Sequence, residues 1–193
     1  MKRICVYCGA KGGNDPAYLE AAGLLGRTLA EQEVELVFGG GSVGMMGAVA
    51  DGALAAGGKV IGVIPDFLAT RELLHPGATE MHVVHSMHAR KALMVELSDA
   101  FLALPGGYGT LEELFETITW AQLGLHTKPV GLLNVAGYFT HLVQFLESSI
   151  SRGFITSSER QHWIVSEKIP DLLHLLRHHT PPRVPRKLDD TET

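Results

Sequence analysis

The 193-residue chain carries 46% hydrophobic and 19% charged residues, too apolar for a disordered protein and suited to one domain with a full hydrophobic core. Its formal net charge of −5 supplies no general field for nucleic acid, so an anionic ligand needs a local site. No apolar run is long enough to span a bilayer and Met1–Cys8 is too short for a signal-peptide apolar region, so the expected location is cytoplasmic.

The first predicted strand, Ile4–Tyr7, carries Cys5 and leads into Cys8. Positions three apart on a strand face opposite sides, roughly 10 Å apart, so this CxxC reads as buried cysteines rather than a disulfide or half a zinc site. Further strands are predicted at Glu35–Phe38, Val60–Ile64, Met81–Val84, Ala100–Leu104 and Val130–Leu133. Helices are predicted at Pro16–Glu31, Gly44–Ala56, Met87–Ser98, Gly109–Gly124 and Tyr138–Ser151. Strands alternating with helices of this length imply an α/β fold: a doubly wound, mostly parallel sheet with helices on both faces. Residues 1–179 read as one domain of this kind. Pro181, Pro182, Pro185 and the acidic residues after them mark a polar tail over 180–193, expected to be disordered.

Glycine clusters stand at the predicted carboxyl ends of three strands, where open α/β sheets bind ligands. They are Cys8-Gly9, Gly39-Gly40-Gly41-Ser42-Val43-Gly44 and Pro105-Gly106-Gly107-Tyr108-Gly109-Thr110. A glycine loop opening a helix gathers unpaired amides at the positive end of the dipole and suits a phosphate. Gly39-x-Gly41-x-x-Gly44, with Asp66 downstream, also fits the fingerprint of a dinucleotide-binding module, and tight turns alone are the plainest alternative. No GxxxxGK[ST] loop is present, which counts against a Walker-type NTPase.

Met87–Met94 begins a helix with Ser86 as its N-cap, and places Arg90 and Lys91 near a helix start. They are either surface cations or an anion clamp; spacing does not choose between these. Along the next helix Leu111, Leu114, Phe115 and Ile118 form one core-facing stripe, with Glu113 and Glu116 nearly opposite. That far side also carries Trp120 and Leu123, which points to a two-fold homodimer interface. His82, His85 and His88 straddle a strand and a helix, while His174, His178 and His179 lie on the polar face of an amphipathic segment. No metal site and no cofactor follow from either group.

Pro105-Gly106-Gly107-Tyr108-Gly109-Thr110-Leu111-Glu112-Glu113 resembles the PGGxGTxxE signature of the LOG family, the cytokinin-activating phosphoribohydrolases, sometimes labelled lysine decarboxylases. Met87-His88-Ala89-Arg90-Lys91 is similar to its Arg-Lys element, and Gly39–Gly47 to its first glycine loop. The likeness runs from about Ile4 to about Ile155, and departs at Ala10-Lys11, where plant members carry small hydroxyl residues. It implies a Rossmann-like fold, a dimer, and hydrolysis of N6-modified adenosine 5′-monophosphates to free base and ribose 5-phosphate. It also implies that Arg90 and Glu113 are the catalytic pair, and that Glu72, Arg90, Lys91, the stretch Gly107, Tyr108, Gly109, Thr110, Leu111, Glu112, Glu113, and Thr119 contact the nucleotide. The loop Gly39, Gly40, Gly41, Ser42, Gly44 offers further amides. The rival readings are a non-catalytic nucleotide or cofactor carrier, a pyridoxal-dependent decarboxylase using Lys91, and a generic AMP nucleosidase.

Overall fold

A computed structural model describes residues 1–70 and 73–182. In chain order its elements are β1 (Arg3–Tyr7), α1 (Pro16–Glu31), β2 (Glu35–Phe38), α2 (Gly44–Ala55), β3 (Val60–Pro65), β4 (Glu80–Val84), α3 (Met87–Leu97), β5 (Ala100–Ala103), α4 (Tyr108–Gln122), β6 (Val130–Leu133), α5 (Thr140–Ser151), β7 (Trp163–Ser166) and α6 (Ile169–His178). The doubly wound α/β reading is borne out, with two refinements. Every ladder of the sheet is parallel, and β7, unforeseen from the sequence, extends one edge. Of the tail expected over 180–193, residues 183–193 lie outside the described residues.

The strand order is β4-β3-β2-β1-β5-β6-β7. The chain steps outward from β1 to β4, then returns across the sheet to β5 on the other side of β1. The sheet therefore reverses its winding between β1 and β5, where a crevice opens beyond the strand ends. β1 is buried on both faces, and its side chains divide between two apolar clusters. Ile4, Val6 and Cys8 pack under α1, α2 and α6; Cys5 and Tyr7 pack under α3, α4 and α5. The two cysteines thus face opposite ways and both are free, as the alternation of a strand requires.

Helix starts are set by local chemistry. Asp15 caps α1 by accepting from the Ala17 amide at 2.9 Å, with Pro16 in the first turn. Ser86 caps α3 through Ala89 N–H at 3.1 Å. In contrast, α2 follows Val43 and α4 follows Gly107, neither of which offers a capping side chain. Both of these starts border the crevice.

Candidate active site

A cavity of about 640 Å³ occupies the reversal point, walled by the ends of β1, β2, β3 and β5 and the first turns of α2 and α4. Its loops are tied together through the backbone. Gly9 N–H donates to Pro105 O at 3.0 Å, and Gly9 O accepts from Met45 N–H at 3.1 Å. The Gly40–Ser42 loop is held from the other side: Gly40 O accepts from His75 N–H and Ser42 N–H donates to Leu73 O, both at 2.9 Å. Gly44 has φ +62°, and a Cβ there would stand 2.4 Å from Ala10 O, so the turn into α2 requires glycine. The hydroxyl of Tyr138, on the loop before α5, donates to Gly106 O and braces the loop that opens α4.

Glu113 lies on the floor of this cavity. The sheet-facing side of α4 is Thr110, Glu113, Leu114, Thr117 and Ala121. This corrects the sequence expectation, which turned Leu111, Leu114, Phe115 and Ile118 inward and Glu113 away. Leu114 is fully buried, whereas Leu111, Phe115 and Ile118 are half-buried against the side of the cluster. The physical reason is distance: small side chains let α4 approach the sheet closely. Thr117 then satisfies its hydroxyl against Tyr7 Oη at 2.9 Å and Glu113 O at 2.8 Å.

Arg90 enters from α3. Its Nε donates to Val63 O at 3.0 Å and its Nη2 to Gly39 O at 3.3 Å, and Nη2 stands 3.7 Å from Glu113 Oε1. A Cβ on Gly39 would fall 2.1 Å from Nη2, so glycine at the end of β2 makes room for the guanidinium. Arg90 and Glu113 are both at least nine-tenths buried. Burial pushes the Glu113 carboxyl up to about 7; Arg90 opposes that rise without cancelling it, and Glu112 adds to it. The site thus holds a carboxyl poised near neutrality beside a fixed cation, an arrangement suited to acid–base or electrostatic work on a bound ligand.

Lys91 goes elsewhere. Its Nζ pairs with Glu112 and with Glu116 Oε2 at 3.0 Å, joining α3 to the outer flank of α4. Burial works against its charge, but hydrogen bonds to the two carboxylates outweigh it and raise its pKa. Of the residues singled out from the sequence, Gly39, Gly41, Arg90, Gly107, Gly109, Thr110 and Glu113 line the cavity. Gly40, Ser42 and Gly44 shape the loop beside it. Lys91, Tyr108, Leu111, Glu112 and Thr119 do not line it, and Tyr108 and Thr119 are exposed. Glu72 lies outside the described residues. Sequence reasoning missed the wall formed by Tyr18, Ile64, Leu68, Leu73 and Tyr138, which no local motif marks. Among the described residues no three His, Cys, Asp or Glu side chains are grouped to hold a metal ion.

The model of the family described as possible lysine decarboxylase matches residues 46–176. The chain is 47% identical over 181 residues to the cytokinin riboside 5′-monophosphate phosphoribohydrolase LOG2 of Arabidopsis thaliana, covering 94% of this chain and 85% of that protein. With LOG7 of the same plant the identity is 49%, over 94% and 83% of the two lengths. The chain belongs to the LOG family. Among solved structures, the molybdenum cofactor binding protein of Rippkaea orientalis superposes with a TM-score of 0.69 at 25% identity, over 92% of this chain and 96% of that one. The Moco carrier protein of Chlamydomonas reinhardtii does so at 0.69 and 24%, a likeness of fold.

The decarboxylase wording of the family model does not suit this LOG-family site. A Schiff-base lysine for pyridoxal phosphate needs a neutral, desolvated amine facing the cofactor. Lys91 is held protonated by two carboxylates and does not face the cavity, and Lys11, which does line it, is exposed to solvent. No helix of the described residues is long and apolar enough to cross a membrane.

Proposed function

We propose that this chain hydrolyses the N-glycosidic bond of adenosine 5′-monophosphates, N6-modified ones included, releasing free base and ribose 5-phosphate. The observation that carries the reading is the Glu113–Arg90 pair, buried in a cavity rimmed by glycine amides. Identity of 47–49% to phosphoribohydrolases over nearly the whole chain supports it. The phosphate lies against the amides of Gly107 and Gly109 and the Thr110 hydroxyl, at the uncapped start of α4. That places C1′ toward Glu113. As the C1′–N9 bond breaks, its electron pair leaves with the base and positive charge builds on the sugar; the Glu113 carboxylate stabilises that charge and takes a proton from the water that attacks C1′. The role of Arg90 is electrostatic: it orients Glu113 and favours its ionised form.

The remaining positions have places in the same proposal. Lys91 acts at one remove, clamping α3 to α4 so that Arg90 and Glu113 face each other. Tyr108, Glu112, Thr119 and Leu123 follow one outer stripe of α4, on which Tyr108 and Leu123 are exposed. A two-fold homodimer covering that stripe would bring a second copy beside the cavity mouth. The same reading sets the reaction in the cytoplasm.

The test is release of base from isopentenyladenosine 5′-monophosphate, AMP and isopentenyladenosine in parallel. Release from the monophosphates but not the riboside is the expected result, and their rate ratio separates cytokinin activation from nucleotide salvage. Binding of AMP without release from any of the three would replace the enzyme with a carrier. Light scattering at micromolar concentration reads the dimer, and a monomer there would count against it.

A further inference from the structure

Among the described residues two cationic side chains line the cavity, Arg90 and Lys11. Arg90 is committed: two carbonyls take N–H donors of its guanidinium and Glu113 takes its charge. Once Glu113 ionises, that pair is close to neutral. Lys91, the other buried cation nearby, is spent on Glu112 and Glu116. Of the described residues, a phosphomonoester dianion entering this site meets glycine amides and one uncommitted cation, Lys11.

The placement of Lys11 suits that task. It follows β1 in the loop Gly9–Gly13, whose backbone is pinned on two sides by the Gly9 bonds to Pro105 and Met45. Its own amide nitrogen would lie 2.7 Å from a Cβ on Gly44, so Lys11 rests directly on the first turn of α2. Gly9 in turn abuts Gly106, where a Cβ on Gly9 would be 3.2 Å from the Gly106 Cα, so the same loop borders the turn into α4. Lys11 therefore stands between two helix starts whose N-cap residues make no side-chain cap bond, on a loop pinned at Gly9, with an exposed side chain and no carboxylate partner among the described residues.

We infer that Lys11 joins the Gly107 and Gly109 amides and the Thr110 hydroxyl in binding the phosphate of the ligand, and that its charge sets the preference for 5′-monophosphates over ribosides. This rests on the hydrolase reading only for the name of the substrate; the anion-binding role stands on the cavity itself. A charge-assisted hydrogen bond to phosphate contributes enough that its loss weakens binding roughly tenfold to a hundredfold.

The experiment is calorimetric binding of AMP and of adenosine to the full chain, the Lys11→Met variant and the Lys11→Arg variant, with KM and kcat for base release measured beside it. AMP affinity should fall roughly tenfold to a hundredfold in Lys11→Met and return to within about threefold in Lys11→Arg, with adenosine affinity unchanged. KM for the monophosphate should rise in step while kcat stays within about threefold. AMP affinity of Lys11→Met within about twofold of the unaltered chain overturns the assignment, whether or not base is released. Lys11-dependent AMP binding without base release supports the assignment and removes the hydrolase reading instead.

Discussion

The two faces of the sheet are covered by three helices each, yet they bury different kinds of side chain. Under α1, α2 and α6 the cluster is mainly aliphatic, with Phe38 and Met45 within it and His75 at its margin, and α1 and α2 pack closely enough that a Cβ on Gly26 would stand 2.0 Å from Val49 O. Under α3, α4 and α5 the same sheet buries Arg90, Lys91, Glu113 and the Tyr7–Thr117 hydrogen bond. The first face is a dry packing surface whose energetics follow from area and volume. The second holds ionisable groups whose charged forms burial disfavours, an arrangement that costs stability and places reactive groups beside the cavity. Both faces meet at the ends of β1, β2 and β5, where the chemistry draws on the second and the loops are anchored by the first.

Substitutions on the two faces should therefore separate activity from stability. The largest effect is expected for Glu113→Gln: kcat/KM for base release should fall by roughly three orders of magnitude or more with the fold retained. The same variant should be the more stable protein at pH 8. The folded-state pKa of Glu113, about 7, lies above its ordinary 4.5, so the neutral carboxyl contributes stability fully present below pH 4.5 and lost as the pH rises through 7. Glutamine removes that loss, worth about 2 kcal/mol in denaturant melts at pH 8. Equal stability of the two proteins at pH 8 would argue that the carboxyl is not desolvated.

Next in size is Gly26→Ala, which forces α1 from α2 and should cost about 2–3 kcal/mol in chemical denaturation while leaving kcat within about twofold. A large loss of kcat in this variant would mean that the two faces are not separable. The smallest expected effect is that of Tyr138→Phe. Losing the hydroxyl donor to Gly106 O while keeping the ring should raise KM for the monophosphate by about threefold to tenfold through a looser α4 loop, with kcat little changed. Unaltered KM would show that this loop holds its shape without Tyr138.

The strands from β1 to β6 and their helices are legible in the sequence because glycine and proline punctuate them and, β4 with its His82 apart, their apolar runs are uninterrupted. β7 is not: Trp163-Ile164-Val165-Ser166 is only four residues long, and it follows a short helical turn over Glu159–His162 rather than a glycine loop. The glycine clusters mark the site well, since topology brings all three to one sheet edge. The inward face of α4 is misread by apolar periodicity, because the helix presses Thr110, Thr117 and Ala121 against the sheet and leaves its larger Leu111, Phe115 and Ile118 at the margin. The partition of Arg90 from Lys91 is equally hidden. Adjacent positions on a helix point about 100° apart, and only the packing of α3 between β3 and α4 decides which cation meets the cavity and which meets Glu112 and Glu116. Tyr138 reaches Gly106 across 32 positions of chain, a contact no local pattern encodes.

We propose that a buried, ionised Glu113 performs the reaction. It is tested most directly by kcat/KM for base release from AMP between pH 5 and 9, a range set by the Glu113 carboxyl at about 7 and by the substrate phosphate near 6. The rate should fall about tenfold per pH unit below a midpoint near 7, as the proton that ionisation removed returns to Glu113. A profile flat down to about pH 6, declining only where the substrate phosphate itself takes up a proton, would contradict it.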